Sequence, residues 1–277
     1  MNQSRSVVRT MAASAAIATS FTAFAPAAHA QSGQDRWHYS AAVYGWLPTL
    51  SGKTSFPTGG AGSSVDIDGG DVLDALKMTF QGTLTARKGQ WGMMADWVYV
   101  DLGATKSATR EVAIGGVEIP AGATADLSLD LKANVLTLAG TYSLAQHPGH
   151  QMNLLFGARM LRLEETLDYT FIGNLGSAQL PGRSGRSNES ATNWDAIVGV
   201  AGRLRFGDGQ RWFVPYYADV GAGDSKLTYQ LQAGVGYSFG WGDLVATWRY
   251  LDYDFKSSSN AQSLSGSGPA IGAVFRW

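Results

Sequence analysis

LTYQLQAGVGYSF, residues 227–239, alternates between two sets of side chains with opposite chemical character. The apolar or aromatic set comprises Leu227, Tyr229, Leu231, Ala233, Val235, Tyr237 and Phe239. The polar or small set comprises Thr228, Gln230, Gln232, Gly234, Gly236 and Ser238. Because successive side chains of a β-strand point to opposite faces, the segment predicts a strand with one apolar face. Transmembrane β-strands need about 9–11 such residues, with aromatic residues near both membrane interfaces, and this segment meets that description.

The same alternation recurs along the rest of the chain. The predicted strands are residues 37–47, 76–87, 91–102, 125–144, one starting at 152, 194–206, 212–220, 227–239, 244–255 and a last one ending at 277. The sequence therefore predicts an all-β fold, a closed antiparallel transmembrane barrel of ten strands. Eight or twelve strands are the alternatives, depending on whether residues 103–124 stay outside the membrane. In strand four the alternation blurs after Asn134, which indicates a β-bulge.

The lengths of the connections sort into two classes along the chain. Short turns follow strands two, four, six and eight, whereas long connections cover residues 48–74, 103–124, 170–192 and 256–268. Outer-membrane barrels have short periplasmic turns and long extracellular loops, so this pattern predicts that both termini are periplasmic. The composition would also allow a soluble β-sandwich, but that fold does not require short loops at one end and long loops at the other.

The N-terminus has the features of a secretory signal peptide. Arg5 and Arg9 precede an apolar region, and Ala28-His29-Ala30 forms a cleavage site, so we expect residues 1–30 to be removed and residues 31–277 to form one domain. The remaining chain has nineteen basic and twenty-two acidic residues, a net charge of about −3, which argues against a nucleic-acid partner. It has no cysteine, which excludes disulfides and a lipid-anchoring cysteine.

Several segments resemble a widespread family of proteobacterial outer-membrane β-barrel proteins of uncharacterised function. They are AVYGWLPTLSG, TARKGQWGMMADWVYVDL, FGARMLRLEE, NWDAIVGVAGRLR, YYADVGAGDSKLTYQLQAGVGYSF and WRYLDYDF, which together span nearly the whole chain after the signal. The resemblance implies a barrel in the outer membrane, similar in size to small monomeric outer-membrane proteins. It implies no activity and no functional residue.

The inward-facing phase of the predicted strands contains eight basic and four acidic residues. They are Lys77, Arg87, Asp96, Asp130, Lys132, Arg159, Asp195, Arg203, Arg205, Asp219, Arg249 and Arg276. Asp96, Arg159 and Arg249 should lie nearest mid-depth. Because unpaired charges in a narrow lumen are costly, one hypothesis is an internal ion-pair network that braces and plugs the barrel. The alternative is a narrow, porin-like pore whose excess of basic residues favours anions.

The sequence does not favour an enzyme. His38, His147 and His150 lie at the predicted periplasmic end, where they cannot activate a nucleophile at the outer rim. Asp252 and Asp254 form a conceivable catalytic carboxylate pair near the outer end of strand nine. Two metal sites are conceivable. One is His147 with His150, and the other is the acidic string Asp66, Asp68, Asp71 and Asp74, which departs from the EF-hand pattern. Solvated loops explain both groups of residues without a metal ion. We therefore expect no cofactor.

The expected partners follow from location. The last strand alternates and ends on Phe275 and Trp277, a pattern similar to the signal recognised by the outer-membrane assembly machinery. Loop residues Arg183 and Arg186 could bind lipopolysaccharide phosphates. The sequence thus predicts a monomeric barrel in contact with outer-membrane lipid.

Overall fold

The computed structural model describes residues 36–54, 64–109, 123–175, 178–179, 183–256 and 261–277. The predicted signal peptide, residues 1–30, lies outside these. The elements in chain order are β1 (Trp37–Trp46), β2 (Thr49–Thr54), β3 (Ser64–Ile67), α1 (Gly69–Ala75), β4 (Leu76–Lys88), β5 (Trp91–Thr109), β6 (Ala123–His147), β7 (His150–Leu175), β8 (Ala178–Gln179), β9 (Arg183–Phe206), β10 (Trp212–Gly223), β11 (Ser225–Ser238), β12 (Gly242–Phe255) and β13 (Ala261–Arg276).

Ten of these strands form one closed antiparallel barrel. Their order around the barrel is β1, β4, β5, β6, β7, β9, β10, β11, β12 and β13, and β13 pairs back onto β1. This seam runs from Ser40 opposite Arg276 to Trp46 opposite Ala270. Closure leaves the barrel without an open sheet edge, which is the condition for β-structure to span a lipid bilayer. The predicted ten-strand barrel is confirmed.

The outer face of the barrel is apolar and lies between two aromatic belts. One belt lies near the short turns and includes Trp37, Trp91, Phe206, Trp212, Trp241 and Trp277, all exposed; the other includes Phe80 and Trp194, also exposed. From Phe206 to Trp194 along β9, about 3.3 Å per residue and a tilt of ~45° give a height of ~28 Å, close to the ~25 Å apolar band of outer-membrane barrels. The barrel is therefore a transmembrane barrel of the outer-membrane type. Among the described residues, no helix is long and apolar enough to cross a membrane.

Several barrel strands extend far beyond this band at the end opposite the short turns. β6, β7 and β9 have 25, 26 and 24 residues, more than twice the ~9–11 that a bilayer requires. Residues 110–122 lie outside the described residues, but the prediction of loops was wrong for residues 103–109, 123–124, 170–175 and 183–192, which are strand. Their glycine and serine residues suggested loops, but strands already in register continue their hydrogen-bond ladder across such residues. We call this projecting sheet the outer extension.

The other two predicted long loops also contain regular structure. Within residues 48–74, β2 and β3 form a hairpin whose β2 pairs with the outer part of β13, and α1 follows directly. Within residues 256–268, β13 begins at Ala261. A bulge was predicted after Asn134, but both ladders of β6 are continuous there, and the register irregularity of this strand lies between Ser143 and Ala145. Neighbouring strands thus convert segments with loop-like composition into sheet.

Candidate functional site in the lumen

Arg249 lies on the inner face of β12 and joins four strands across the lumen. Its guanidinium donates to the Tyr44 hydroxyl of β1 at 2.9 Å, to Asp96 of β5 at 3.2 Å and to Gln230 Oε1 of β11 at 2.9 Å. Asp96 also accepts hydrogen bonds from Tyr44 at 2.7 Å and from Thr83 of β4 at 2.6 Å. Only 2% of Arg249 is exposed. This is a buried ion pair whose carboxylate and guanidinium both have further hydrogen bonds.

A second buried ion pair lies on the facing part of the wall. Arg159 of β7 pairs with Asp219 of β10, and neither side chain is exposed. Arg159 also donates to the Thr137 hydroxyl of β6 at 3.2 Å, and the Tyr217 hydroxyl donates to Asp219. Alternation along each strand places these groups inward, and each ion pair then joins two strands that are not adjacent in the barrel. The two ion pairs thus supply the polar contents of the lumen at mid-depth.

An apolar layer fills the lumen on the side of the ion pairs that faces the outer extension. On three strands the inner-face residue two positions beyond a buried charge is apolar: Val98 follows Asp96, Leu161 follows Arg159, and Leu251 follows Arg249. The full cluster of buried side chains comprises Trp46, Val98, Val135, Leu161, Leu251, Tyr253, Phe255 and Ala270. We call the two ion pairs and this cluster the closing layer. Sequence reasoning missed the apolar cluster, although Leu251, Tyr253 and Phe255 share the inward phase of Arg249.

Two cavities occupy the lumen between the closing layer and the short turns. A cavity of about 270 Å³ borders Tyr44, Asp96 and Arg249. A cavity of about 510 Å³ lies nearer the turns and includes His38 and Arg205 in its wall. Met94 and Arg203 border both cavities. The turn-side half of the lumen therefore contains open space, whereas the closing layer is packed.

The other predicted lumen charges belong to neither ion pair, although Asp195 lies opposite Arg159 in the register of β7 and β9. Asp195 is buried on β9 and accepts a hydrogen bond from the Ser225 backbone N–H at 2.8 Å. Arg203 lies on the turn side and pairs with Asp243 at 3.3 Å. Asp243 was missed because the sequence suggested a turn at that position, but it begins the inner face of β12.

Lys77 and Lys132 lie at the start of the outer extension and are largely exposed. Lys77 pairs with Asp130, and Lys132 is 4.0 Å from Asp101. The structure therefore separates both lysines from Arg159 and Arg249. Both were predicted to face inward, but Val135, Thr137 and Ala139 occupy the inner face of β6, so Lys132 shares the opposite, outward phase of exposed Leu138. The register of β4 shifts between Leu76 and Met78, and Lys77 pairs there with Asp130, which lies on the same face of β6 as Lys132.

The predicted acidic and histidine pairs make ordinary polar contacts. Asp252 accepts a hydrogen bond from the Tyr250 hydroxyl at 3.0 Å, and Asp254 pairs separately with Lys226 at 3.0 Å. His150 lies 3.1 Å from the Tyr216 hydroxyl. Asp252 and Asp254 thus have separate partners.

The acidic string near Asp71 is not the solvated loop that the sequence suggested. Asp68 precedes α1, and Asp71 and Asp74 lie exposed on that helix. The side chain of Asp66 lies outside the described residues. Within the described parts of the chain, no three histidine or acidic side chains are grouped closely enough to hold a metal ion.

The outer extension carries surface ion pairs. Arg186 of β9 donates to both carboxylate oxygens of Asp168 of β7, at 2.6 and 2.9 Å. These hydrogen bonds lower the pKa of Asp168 below its ordinary value of 3.8. Arg186 is thus already paired within the protein, and the side chain of Arg183 lies outside the described residues.

Comparison with solved structures finds other outer-membrane barrels at low similarity. The outer membrane protease OmpT from Escherichia coli has 12% identity and a TM-score of 0.43, covering 88% of this chain and 97% of that chain. Ail, the attachment invasion locus protein of Yersinia pestis, has 10% identity and a TM-score of 0.34, covering 87% and 98%. Neisserial surface protein A has 12% identity and a TM-score of 0.32, covering 87% and 97%.

These similarities carry no argument about activity, because the identities are below 25% and the TM-scores are below 0.5. No protein-family model matches the chain, and no curated protein matches it. The resemblance to an uncharacterised barrel family therefore stays an expectation. The fold assignment depends on the closed strand pairing and the exposed apolar band of the chain itself.

Proposed function

We propose that this outer-membrane-type β-barrel is a non-catalytic, non-conducting protein with a structural and surface-interaction role. The closing layer is the observation that carries the proposal. Arg159, Arg249, Tyr253 and Leu161 are almost completely buried at the level where a pore would need its hydrated channel. An ion crossing this level would have to displace packed apolar side chains or separate buried, hydrogen-bonded ion pairs, both of which are costly.

The outer extension supports the surface role. β6, β7 and β9 extend well past the outer aromatic belt, and their exposed charges include the Arg162–Glu164 and Arg186–Asp168 pairs. A rigid, charged sheet of this length presents a large area for contact with lipopolysaccharide or with another protein. In this proposal the short turns and both termini are periplasmic, the barrel is monomeric, and Phe275 and Trp277 are recognised by the assembly machinery.

A porin-like channel for small anionic solutes is the second candidate. The two cavities favour it, because they leave space from the turn side up to Arg249. For this function the closing layer would have to open.

Conductance of the refolded protein in a planar bilayer distinguishes the two candidates. We expect wild-type protein, with correct folding verified by heat-modifiable gel migration, to give no steady conductance. Steady conductance proportional to salt concentration would overturn the proposal, particularly if Arg159→Glu changed its anion preference. Arg162→Glu is the matched control, because Arg162 is on the same strand but exposed outside the lumen.

A further inference from the structure

The larger lumen cavity has an unusual concentration of positive charge. Arg87, Arg203, Arg205 and Arg276 all border this cavity of about 510 Å³, and its described lining contains no acidic side chain. The four arginines come from β4, β9 and β13 and lie near the short turns. We call this cavity, with its four arginines, the arginine vestibule.

The positive charges of the vestibule are close together and poorly compensated. Arg203 is near enough to Arg87 and Arg205 to be repelled by both, and Arg276 is likewise repelled by Arg203 and Arg205. Asp243 is the carboxylate that pairs with them, binding both Arg203 and Arg276. Four guanidinium groups around one carboxylate side chain leave an excess of positive charge, which a bound anion would stabilise.

Two of the arginines keep hydrogen-bond donors available. Arg87 has no ion pair or side-chain hydrogen bond among the described residues. Arg205 uses one terminal nitrogen, which donates to the Gln210 carbonyl at 2.9 Å and lies 3.4 Å from Ser238 Oγ. The Phe213 ring lies 5.8 Å from the Arg205 guanidinium and helps to fix its position. A fixed guanidinium with free donors is suited to bidentate binding of an oxyanion.

The rest of the lining is suited to a small polar solute. Ser40, Thr85, Thr141, Gln151 and Asn153 supply neutral hydrogen-bonding groups around the arginines. The volume falls within the ~300–1,000 Å³ typical of small-molecule sites. We propose that the arginine vestibule binds a small, multiply charged phosphate group, either on a free solute or on a lipid headgroup, which enters from the short-turn end. The proposal is independent of whether the lumen conducts.

Titration calorimetry with inorganic pyrophosphate tests the site. The protein is the complete barrel after signal removal, refolded in non-ionic detergent. We expect saturable binding that weakens with added salt, and about tenfold weaker binding for Arg87→Gln combined with Arg205→Gln. Arg162→Gln, an exposed arginine remote from the vestibule, should bind as wild type does. No binding by the wild type, or equal binding by the double variant, would overturn the proposal.

Chemical protection covers the case in which the double variant fails to fold. In wild-type protein, pyrophosphate should slow phenylglyoxal modification of Arg87 and Arg205, located by mass spectrometry, but not that of Arg162. Equal modification with and without pyrophosphate would contradict the proposal.

Two bilayer compositions then identify the source of the phosphate. If pyrophosphate binding is lost in nanodiscs containing cardiolipin, whose headgroup carries two phosphates, but kept in zwitterionic discs, a lipid headgroup occupies the site. If binding is equal in both, the occupant is a free solute.

Discussion

At the scale of single residues, the Arg249–Asp96 ion pair should be the most sensitive point of the barrel. Arg249→Met fills a similar volume but leaves the Asp96 carboxylate buried without its cation. Removing one member of a buried pair costs about 3–5 kcal/mol, so we expect the free energy of unfolding to fall by that amount. Urea unfolding in detergent micelles, monitored by tryptophan fluorescence, measures it.

Two controls identify the cause of that loss. Combining Arg249→Met with Asp96→Leu removes the uncompensated charge, so the double variant should be more stable than the single one. Arg162→Met, at an exposed arginine, should change stability by less than about 0.5 kcal/mol. If Arg249→Met alone is no less stable than this exposed control, pairing in the closing layer contributes little to the free energy of unfolding.

Asp168 provides a pH prediction outside the membrane. Its hydrogen bonds to Arg186 lower the pKa in the folded state, so their stabilisation is complete above pH 3.8 and is lost as the pH falls through the lower, folded-state pKa. In Arg186→Gln the Asp168 carboxyl should titrate near its ordinary value. An NMR titration with the same Asp168 midpoint in both proteins would contradict this.

The sequence predicted the inward faces of Asp96, Arg159 and Arg249 but not their contacts. Alternation determines the face of a strand, and counting from a short turn estimates depth, so these three residues could be placed near mid-height. Which residue meets which depends on the stagger of strands around the barrel, and alternation within one strand does not contain that information. The pairing of Arg159 with Asp219 could therefore not be predicted.

At the scale of elements, β4 offers a test of membrane depth on one face of one strand. Leu84 and Met78 both point outward and have similar exposed fractions, 61% and 59%, but Met78 lies beyond the aromatic belt at Phe80. Leu84→Arg should destabilise the barrel by about 2–4 kcal/mol and Met78→Arg by about 0–1 kcal/mol. Urea unfolding in lipid vesicles measures the free energy of unfolding of both variants. An equal loss of stability in the two would mean that the bilayer does not lie between the aromatic belts.

The strands were easier to predict than their ends. The apolar face of β11 is visible because lipid requires an unbroken row of apolar side chains. Beyond the membrane that requirement stops, and the extensions of β7 and β9 are held by cross-strand pairing instead. Glycine-rich and serine-rich residues there resemble a loop in sequence, because pairing with a distant strand leaves little trace in local composition.

At the scale of the whole molecule, closure depends on the last strand. The Tyr39 N–H donates to the Trp277 carbonyl at 2.9 Å, the Trp277 N–H donates to the Tyr39 carbonyl at 3.1 Å, and the two rings are 6.2 Å apart. Trp277 thus belongs to the barrel seam, and we expect it to be recognised during assembly as well.

These two roles of the C-terminal aromatics can be separated. If Phe275 and Trp277 form an assembly signal, replacing both with alanine should reduce the yield of folded barrel in cells several-fold. Spontaneous refolding in detergent should change much less, because the backbone pairing of β13 remains. Heat-modifiable migration measures both yields. An equal loss in cells and in detergent would assign these residues to the seam alone.

The closing layer also makes the two ends of the lumen different. If the closing layer seals one end, as proposed, the arginine vestibule is a cavity with one opening, and any molecule that enters must leave through that same opening. Its occupancy would follow concentrations on the short-turn side and ignore those on the other. The vestibule would then bind solutes from one compartment while the outer extension contacts the other, although no solute would pass between the two.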